Sequence, residues 1–552
     1  MSDFSRKAVF VAAVAFALAF AFQGSRALWA PDEGIFGAVS KEMIESGNWL
    51  IPTLHQQPYP EKPPLMYWMM ISGMDLLGRN EWGLRLFFAL TLPLTAWFVG
   101  LIGAELWGRR EGLLAALVYV TMIWPIAGAN VARPDAPLTL FVAAAFFYFI
   151  KSVRLNDPSL YPSPQGEWGN NDPSPGGSVL PLSSQERGPG GEVRGTTICK
   201  MLMCVAFGFG FLSKGPAVLV FAAPMFVYLL LTGRTLRYFL TPWAIVGIAI
   251  FAVIGLSWYW MMIRSVSGAA AYFWDNEVWG RLVTSTYRRN SGFLEGIIKV
   301  YGPALLAGPL PWLFAWPFWI AKTRPPIFTA AWWQTLRERR NALLLALWVV
   351  LPVAVFMFAK SKLPFYVLPV FPAIALLTAR AWVLYPLPRL ARPDGLPRAS
   401  FVAAWAMVMI ACKGIAAHPD SVQKFGLNLS DRDERILAAA IEKRLPSGCT
   451  QVWLVNEERN GIAFYLKLRV LDTTFHDSEY PNFIPTPQLS RLIDEALASK
   501  TTFAVYSRSK KKQLDAVEAV FNAKGIAFDR RELPDEHVLL VPTEKTDLKI
   551  EN

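Results

Sequence analysis

Cysteine and histidine are scarce: the 552-residue chain has four of each. Cys199, Cys204 and Cys412 fall in or beside apolar runs and Cys449 stands alone in a polar stretch, so neither a disulfide framework nor a Cys/His zinc spacing is available. Charge is scarce too. Charged residues make up 17% of the chain against 53% hydrophobic and 14% aromatic, with mean hydropathy +0.31, which excludes a soluble globular protein of this size. The net charge of +12 does not imply nucleic acid, because Lys and Arg sit in short clusters beside apolar runs, the pattern of membrane topology. No Gly-rich phosphate loop occurs. Nor is there a paired inverted repeat with helices broken at matching points, so a transporter or flippase is the weaker alternative class.

What the chain has instead is a series of apolar runs, most near the ~20 residues a bilayer needs. Arg6 and Lys7 precede a run over 8–22 that no cleavage pattern follows, a retained signal anchor with its N-terminus in the cytoplasm. Further spans are expected over 83–107, 112–130, 136–151, 199–213, 216–232, 239–263, 294–321, 342–359, 364–384 and 400–417. That makes eleven transmembrane helices, with thirteen as the upper count. Arg109 and Arg110, Lys151 and Arg154, Arg234 and Arg237, Lys322 with Arg337 and Arg340, and Arg389 with Arg392 fall on alternate ends, which are therefore cytoplasmic. Residues 156–195, rich in Pro, Gly and Ser, read as a disordered cytoplasmic insertion without assignable chemistry.

The expected fold is thus a polytopic α-helical membrane protein over 1–417, followed by a small α/β domain over 418–552. In that domain Ser430 is expected to cap a helix running to Arg444. Strands at 451–455, 468–472, 503–507 and 537–541 alternate with helices at 461–467, 490–499 and 511–523, implying a largely parallel sheet. An odd helix count puts this domain in the periplasm.

Several charges break the positive-inside bias, and they do so beside acids, Gly and Pro: Arg133, Lys214, Arg281, Arg288, Arg289, Lys360 and Lys362. Charges on that side at membrane depth are costly, which makes a functional site the default reading. The loop over 25–82 is the richest. Pro31 and Gly47 bracket an expected helix lying in the membrane interface, with Ile35, Phe36, Val39 and Met43 on one face and Asp32 and Glu33 in its first turn. Taken alone, Asp32 and Glu33 serve equally well as helix-capping acids. An enzyme outside the cytoplasm has no nucleotide supply and must draw an activated group from a lipid carrier. Lys62, Arg281, Lys360 and Lys362 suit a lipid phosphate and its leaving charge. Asp32, Glu33 or Asp135 would orient an acceptor or take its proton, and Met66 to Met70 would help line a groove for the carrier's tail.

The motifs LWAPDEG, SKEMIESGNWLIP, YPEKPPLMYW, RPDAPL, LSKGP, GPLPW and AKSKLPFYVLP resemble, in order and spacing, those of the bacterial 4-amino-4-deoxy-L-arabinose lipid A transferases. These belong to the GT-C type, polyprenyl-phosphate-sugar-dependent glycosyltransferases related to protein O-mannosyltransferases. The resemblance covers roughly residues 25–385. It implies that Asp32 is the essential acid of the first loop, that Glu61 and Lys62 are the family's Glu-Lys pair with the lysine on the carrier phosphate, and that Asp135 is the acid of the second external loop. Arg281 and Tyr366 match residues near the carrier phosphate. Asn276 and Glu277 stand where the family often has a His that helps bind a divalent metal. No cofactor is required by the sequence, and Glu61 remains the one candidate ligand if a metal ion binds. The implied activity is inverting transfer of the sugar from undecaprenyl phosphate to lipid A phosphate, at the periplasmic face of the bacterial inner membrane and in contact with membrane lipids. A protein or another glycan is the alternative acceptor.

Overall fold

In hydrocarbon every backbone N–H and C=O must be satisfied within its own segment, so the apolar runs become helices. The computed structural model describes the chain except residues 1–2, 30, 157–188, 240, 281–291, 324–339, 393–395, 419–432, 457–458, 476–477, 480–484, 509–510, 535 and 544–552. Arg281, Arg288, Arg289 and most of the expected insertion fall outside the described residues. The N-terminal part contains α1 (Asp3–Phe20), α2 (Asp32–Ser46), α3 (Leu65–Leu77), α4 (Glu81–Leu106), α5 (Arg109–Thr121), α6 (Ile123–Ala129), α7 (Asp135–Asn156) and α8 (Pro189–Lys214). Two compact units result, one of residues 1–21 and 87–411, the other of 22–86 and 412–552.

The first unit is a multi-pass helical bundle. Among the described residues seven helices are long and apolar enough to cross a membrane, nine if each of two bent pairs is one span, beside the expected eleven to thirteen over the whole chain. The expected spans 199–213 and 216–232 run together as Gly195–Leu231, and those at 112–130 and 294–321 are bent by 65° and 85°. The expected first span, α1, carries Asp3, Arg6 and Lys7 in its opening turns. The bends have causes in the sequence. Pro125 has no N–H to return to the Thr121 carbonyl four residues back, and that oxygen accepts from Trp405 Nε1 at 2.8 Å instead. Pro309 and Pro311 end the helix before the second bend. The core is aromatic and interlocked: Phe146 stacks on Trp348 with centroids 3.5 Å apart, and Trp348 donates to the Pro369 carbonyl at 3.0 Å.

In the second unit, β1 (Thr53–Leu54) and β2 (Gln57–Pro58) form a small hairpin. The C-terminal residues add β3 (Gln451–Val455), β4 (Arg469–Thr473), β5 (Ser478–Glu479), β6 (Pro485–Thr486), β7 (Phe503–Arg508), β8 (Phe528–Leu533) and β9 (His537–Pro542). The main sheet has the order β4-β3-β7-β9-β8. β3 is parallel to β4 and β7, but β9 is antiparallel to both β7 and β8, so the sheet is mixed rather than largely parallel. The unexpected strand is β8, FDRREL, whose mostly polar residues suit an exposed sheet edge. The helix expected from Ser430 is described from Glu434 to Glu442, and its cap is Asp433, whose carboxylate accepts from the Arg435 and Ile436 amides.

Candidate functional site

In the second unit α2 begins after Pro31 and stops at Gly47, which has φ 69°, as the sequence implies. Its surroundings differ from expectation. Phe36, Val39 and Met43 are buried, and so are Glu33, Gly34, Gly37 and Ser40, because protein encloses the helix. Gly34 and Gly461 permit that approach: a Cβ on Gly461 would lie 3.0 Å from the Gly34 Cα. Lys41 donates to the Ala463 and Leu466 carbonyls at 2.7 and 2.6 Å, capping the C-terminal end of the helix Gly461–Tyr465.

Asp32 stands half-buried in the first turn of α2, where the helix dipole favours an anion. Glu33 is different: it is fully buried. Its carboxylate accepts from Arg85 Nε at 2.9 Å and Nη2 at 2.8 Å, from Arg26 Nη1 at 2.9 Å and from the Trp29 amide at 2.9 Å. Burial would raise this carboxyl, but the two guanidiniums outweigh it and hold it well below the usual carboxylate range. Arg85 also donates to the Gln23, Arg26 and Ala27 carbonyls. Glu33 is therefore the centre of a structural ion cluster, which corrects its expected place as a second catalytic acid. One signal for the cluster was available, a lone Arg85 inside an apolar helical run.

Glu61 and Lys62 follow the hairpin. The tip of the hairpin has His55 and Gln56 at φ 55° and 63°, and the Glu42 carboxylate accepts both their amides, at 2.7 and 3.0 Å. Lys62 Nζ donates to Glu61 Oε1 at 2.9 Å, and Tyr59 donates its hydroxyl to Glu61 Oε2. Pro63 and Pro64 then open α3, fixing the backbone beside the ammonium. Lys62 is thus a buried cation on a braced backbone. Tyr59, unrecognised in the sequence, is the third member of this group.

In the first unit Asp135 opens α7 and is 2% exposed. Lys214 donates to its Oδ1, and Arg133 Nε lies 3.7 Å from Oδ2. Lys214 reaches it because α8 breaks there: Lys214 has φ −145° and Gly215 φ 66°, in a position where a Cβ would strike the Tyr259 hydroxyl. The Lys214 ammonium lies 4.1 Å over the Tyr366 ring, and the Arg133 guanidinium 5.3 Å over Phe365. Lys362 is 1% exposed, donates to the Ala359 carbonyl at 2.7 Å and lies so close to Gly296 that a Cβ there would overlap its stem. Burial, with Lys360 nearby, pushes its ammonium down. Lys360 itself is exposed. Four cations against one carboxylate on these motifs favour a phosphate ligand.

A divalent metal fits poorly. Among the described residues no group of three or more His, Cys, Asp or Glu is placed to hold one, and the two Glu61 oxygens are on Tyr59 and Lys62.

The expected resemblance holds in both sequence and fold. The family described as dolichyl-phosphate-mannose-protein mannosyltransferase matches residues 61–163. The undecaprenyl phosphate-alpha-4-amino-4-deoxy-L-arabinose arabinosyl transferase of Erwinia tasmaniensis is 28% identical over 357 residues, 64% of this chain and 55% of the relative. That of an Enterobacter species is 26% identical over 410 residues, 71% and 63% of the two chains. The chain therefore spans between half and two thirds of the length of these relatives. Crystal structures of ArnT from Cupriavidus metallidurans, in the apo state and bound to undecaprenyl phosphate, match with TM-scores of 0.70 and 0.68 at 18% and 19% identity. They cover 98% and 99% of both chains. The polytopic membrane fold of these structures is shared over nearly all of the chain.

Proposed function

We propose that this chain transfers 4-amino-4-deoxy-L-arabinose from undecaprenyl phosphate to a lipid A phosphate at the periplasmic face of the inner membrane, with residues 418–552 as a periplasmic domain. The observation that carries the reading is the burial of cations on the motifs that carry the resemblance. The side chains of Lys62 and Lys214 are 11% and 12% exposed, and Lys362 is buried. Cations are kept in such places where an anion needs them.

In the step itself the bond between the sugar C1 and the carrier phosphate oxygen breaks, and its electron pair leaves on the phosphate. An oxygen of the acceptor phosphate forms the new bond to C1 from the opposite face, inverting it. Lys62, Lys360 and Lys362, with Arg281, neutralise the charge gathering on the departing phosphate. Lys214 holds the Asp135 carboxylate, and Tyr366, whose ring lies 4.1 Å from the Lys214 ammonium, stands beside the carrier phosphate. A phosphate acceptor is already ionised near neutral pH, so Asp32 and Asp135 position it and no general base is needed. Glu33 fixes the segment that carries Asp32.

Membranes containing the protein are supplied with a radiolabelled undecaprenyl-phosphate sugar, and the lipid A and protein fractions are counted. Label in lipid A that depends on Lys62 is expected. Label in protein alone would move the acceptor to a polypeptide, and no transfer to either would remove the assignment.

A further inference from the structure

We propose that Tyr301 is a further phosphate-binding residue: its buried hydroxyl donates a hydrogen bond to an oxygen of the lipid carrier's phosphate. The inference rests on the reading of the site as one for a polyprenyl phosphate, and adds to it a neutral donor that lies outside the motifs. Tyr301 ends a stretch of wide π-type turns, Gly296–Tyr301. Such turns are rare and recur at functional sites. Glycine permits this one at both ends: a Cβ on Gly302 would overlap the Ile297 carbonyl, and one on Gly296 would lie 2.5 Å from the Lys362 Cδ. Lys362 and Tyr301 thus stand at the two ends of one short segment.

Tyr301 is 1% exposed, yet its hydroxyl has no hydrogen-bond partner among the described residues. A buried O–H left in that state is costly and uncommon. The ionisable groups whose charge acts on it are Tyr366 and Asp135. Tyr366 is itself held in place, because Phe365 beside it stacks on Trp124 of α6 with centroids 5.0 Å apart and lies 5.3 Å from the Arg133 guanidinium. What Tyr301 can bond follows from the charges at hand. Lys214 donates to Asp135 and Lys362 to the Ala359 carbonyl. Neither ammonium uses the phenol as an acceptor, so the O–H is what Tyr301 has to offer. Lys214, Arg133 and Lys362 repel a cationic group and favour an anion, and a phosphate oxygen is the acceptor that fits. Two phenols from two elements, Tyr366 and Tyr301, therefore attend the same phosphate.

Native mass spectrometry of the full-length protein decides this, with undecaprenyl phosphate as the probe and undecaprenol, the same tail without the phosphate, as the control. The wild type should retain the phosphate over the alcohol. Tyr301→Phe, which removes one oxygen and keeps the ring, should weaken retention of undecaprenyl phosphate roughly tenfold or more, the effect of a hydrogen bond to a charged group, and leave undecaprenol unchanged. Transfer should show the same split: kcat/KM for the donor falls by a similar factor, and KM for the acceptor stays. The free protein supplies a sign that a structural role would reverse. Removing an unpartnered buried hydroxyl should leave its thermal midpoint equal to or above that of the wild type, whereas losing a hydroxyl that braces the fold would lower it. A lowered midpoint in the free variant, or a wild-type preference for undecaprenyl phosphate that Tyr301→Phe keeps, would overturn the role of Tyr301 alone. No preference in the wild type would overturn it together with the function it rests on.

Discussion

Raising the pH should loosen the hold of the first loop on the C-terminal sheet through one side chain, His55. Its ring lies against three acceptors: Nδ1 is 3.0 Å from the Val470 carbonyl, and Nε2 is 3.0 Å from Asn460 Oδ1 and 3.2 Å from Asp472 Oδ2. Both nitrogens must donate, so the bound form is the imidazolium. Burial alone would lower its pKa, but Asp472 overrides that and raises it from 6.5 to about 9. At 1.36 kcal/mol per unit the shift is worth about 3 kcal/mol. Because the folded value is the higher one, the contribution is complete below about pH 6.5 and is lost as the pH rises through about 9. The assay is the thermal midpoint of the wild type against His55→Gln in one detergent at about pH 6, 7.5 and 10. The wild type should lead by several degrees at the lowest pH, and the gap should close by the highest. Glu434, raised by burial to about 8, also destabilises on ionising, but it is present in both proteins and cancels in the difference. A gap that stays constant, or widens with pH, would refute the imidazolium argument.

Gly461→Ala should cost ~2 kcal/mol, since its Cβ would displace the buried Glu434 carboxylate and lie 3.0 Å from the Gly34 Cα, where backbone has to give; chemical denaturation measures it. Arg85→Lys keeps the charge but cannot serve the Glu33 carboxylate and three carbonyls together, so a loss of ~3 kcal/mol is expected, and a variant as stable as wild type would deny Arg85 its bracing role. Asp32→Asn should leave the fold within ~1 kcal/mol yet slow transfer roughly a hundredfold. Lys62→Ala should weaken donor binding as well as turnover, because the phosphate is charged both before and after transfer; steady-state kinetics separates the two variants.

Much of this was legible in the sequence, and the failures have physical reasons. Local grammar carried furthest: Pro31 and Gly47 gave α2 its ends, and the apolar runs gave most of the spans. β8 was missed because an edge strand need not alternate, and FDRREL does not. The Asp433 cap lies three residues beyond the expected Ser430, within the usual blur of helix ends. Pairings were the illegible part. That Glu33 meets Arg85, or His55 meets Asp472, depends on residues brought together across 52 and 417 positions, and no local period encodes such distance. The bends at Pro125 and at Pro309 with Pro311 were written plainly, but a hydropathy window averages over them.

The second unit is assembled from residues 22–86 and 412–552, separated in synthesis by more than three hundred residues. A ribosome delivers the loop with Asp32 and Lys62 long before it delivers Asp433, Tyr465 or Asp472. Until then Trp29 has no bridge to Asp433, the Leu28 amide has no Tyr465 hydroxyl, and the hairpin has no partner for His55. The half-made protein therefore carries the loop with Asp32 in an unfinished setting, and the later segment is the one that braces it. A chain stopped anywhere before residue 433 has the loop without any of these braces.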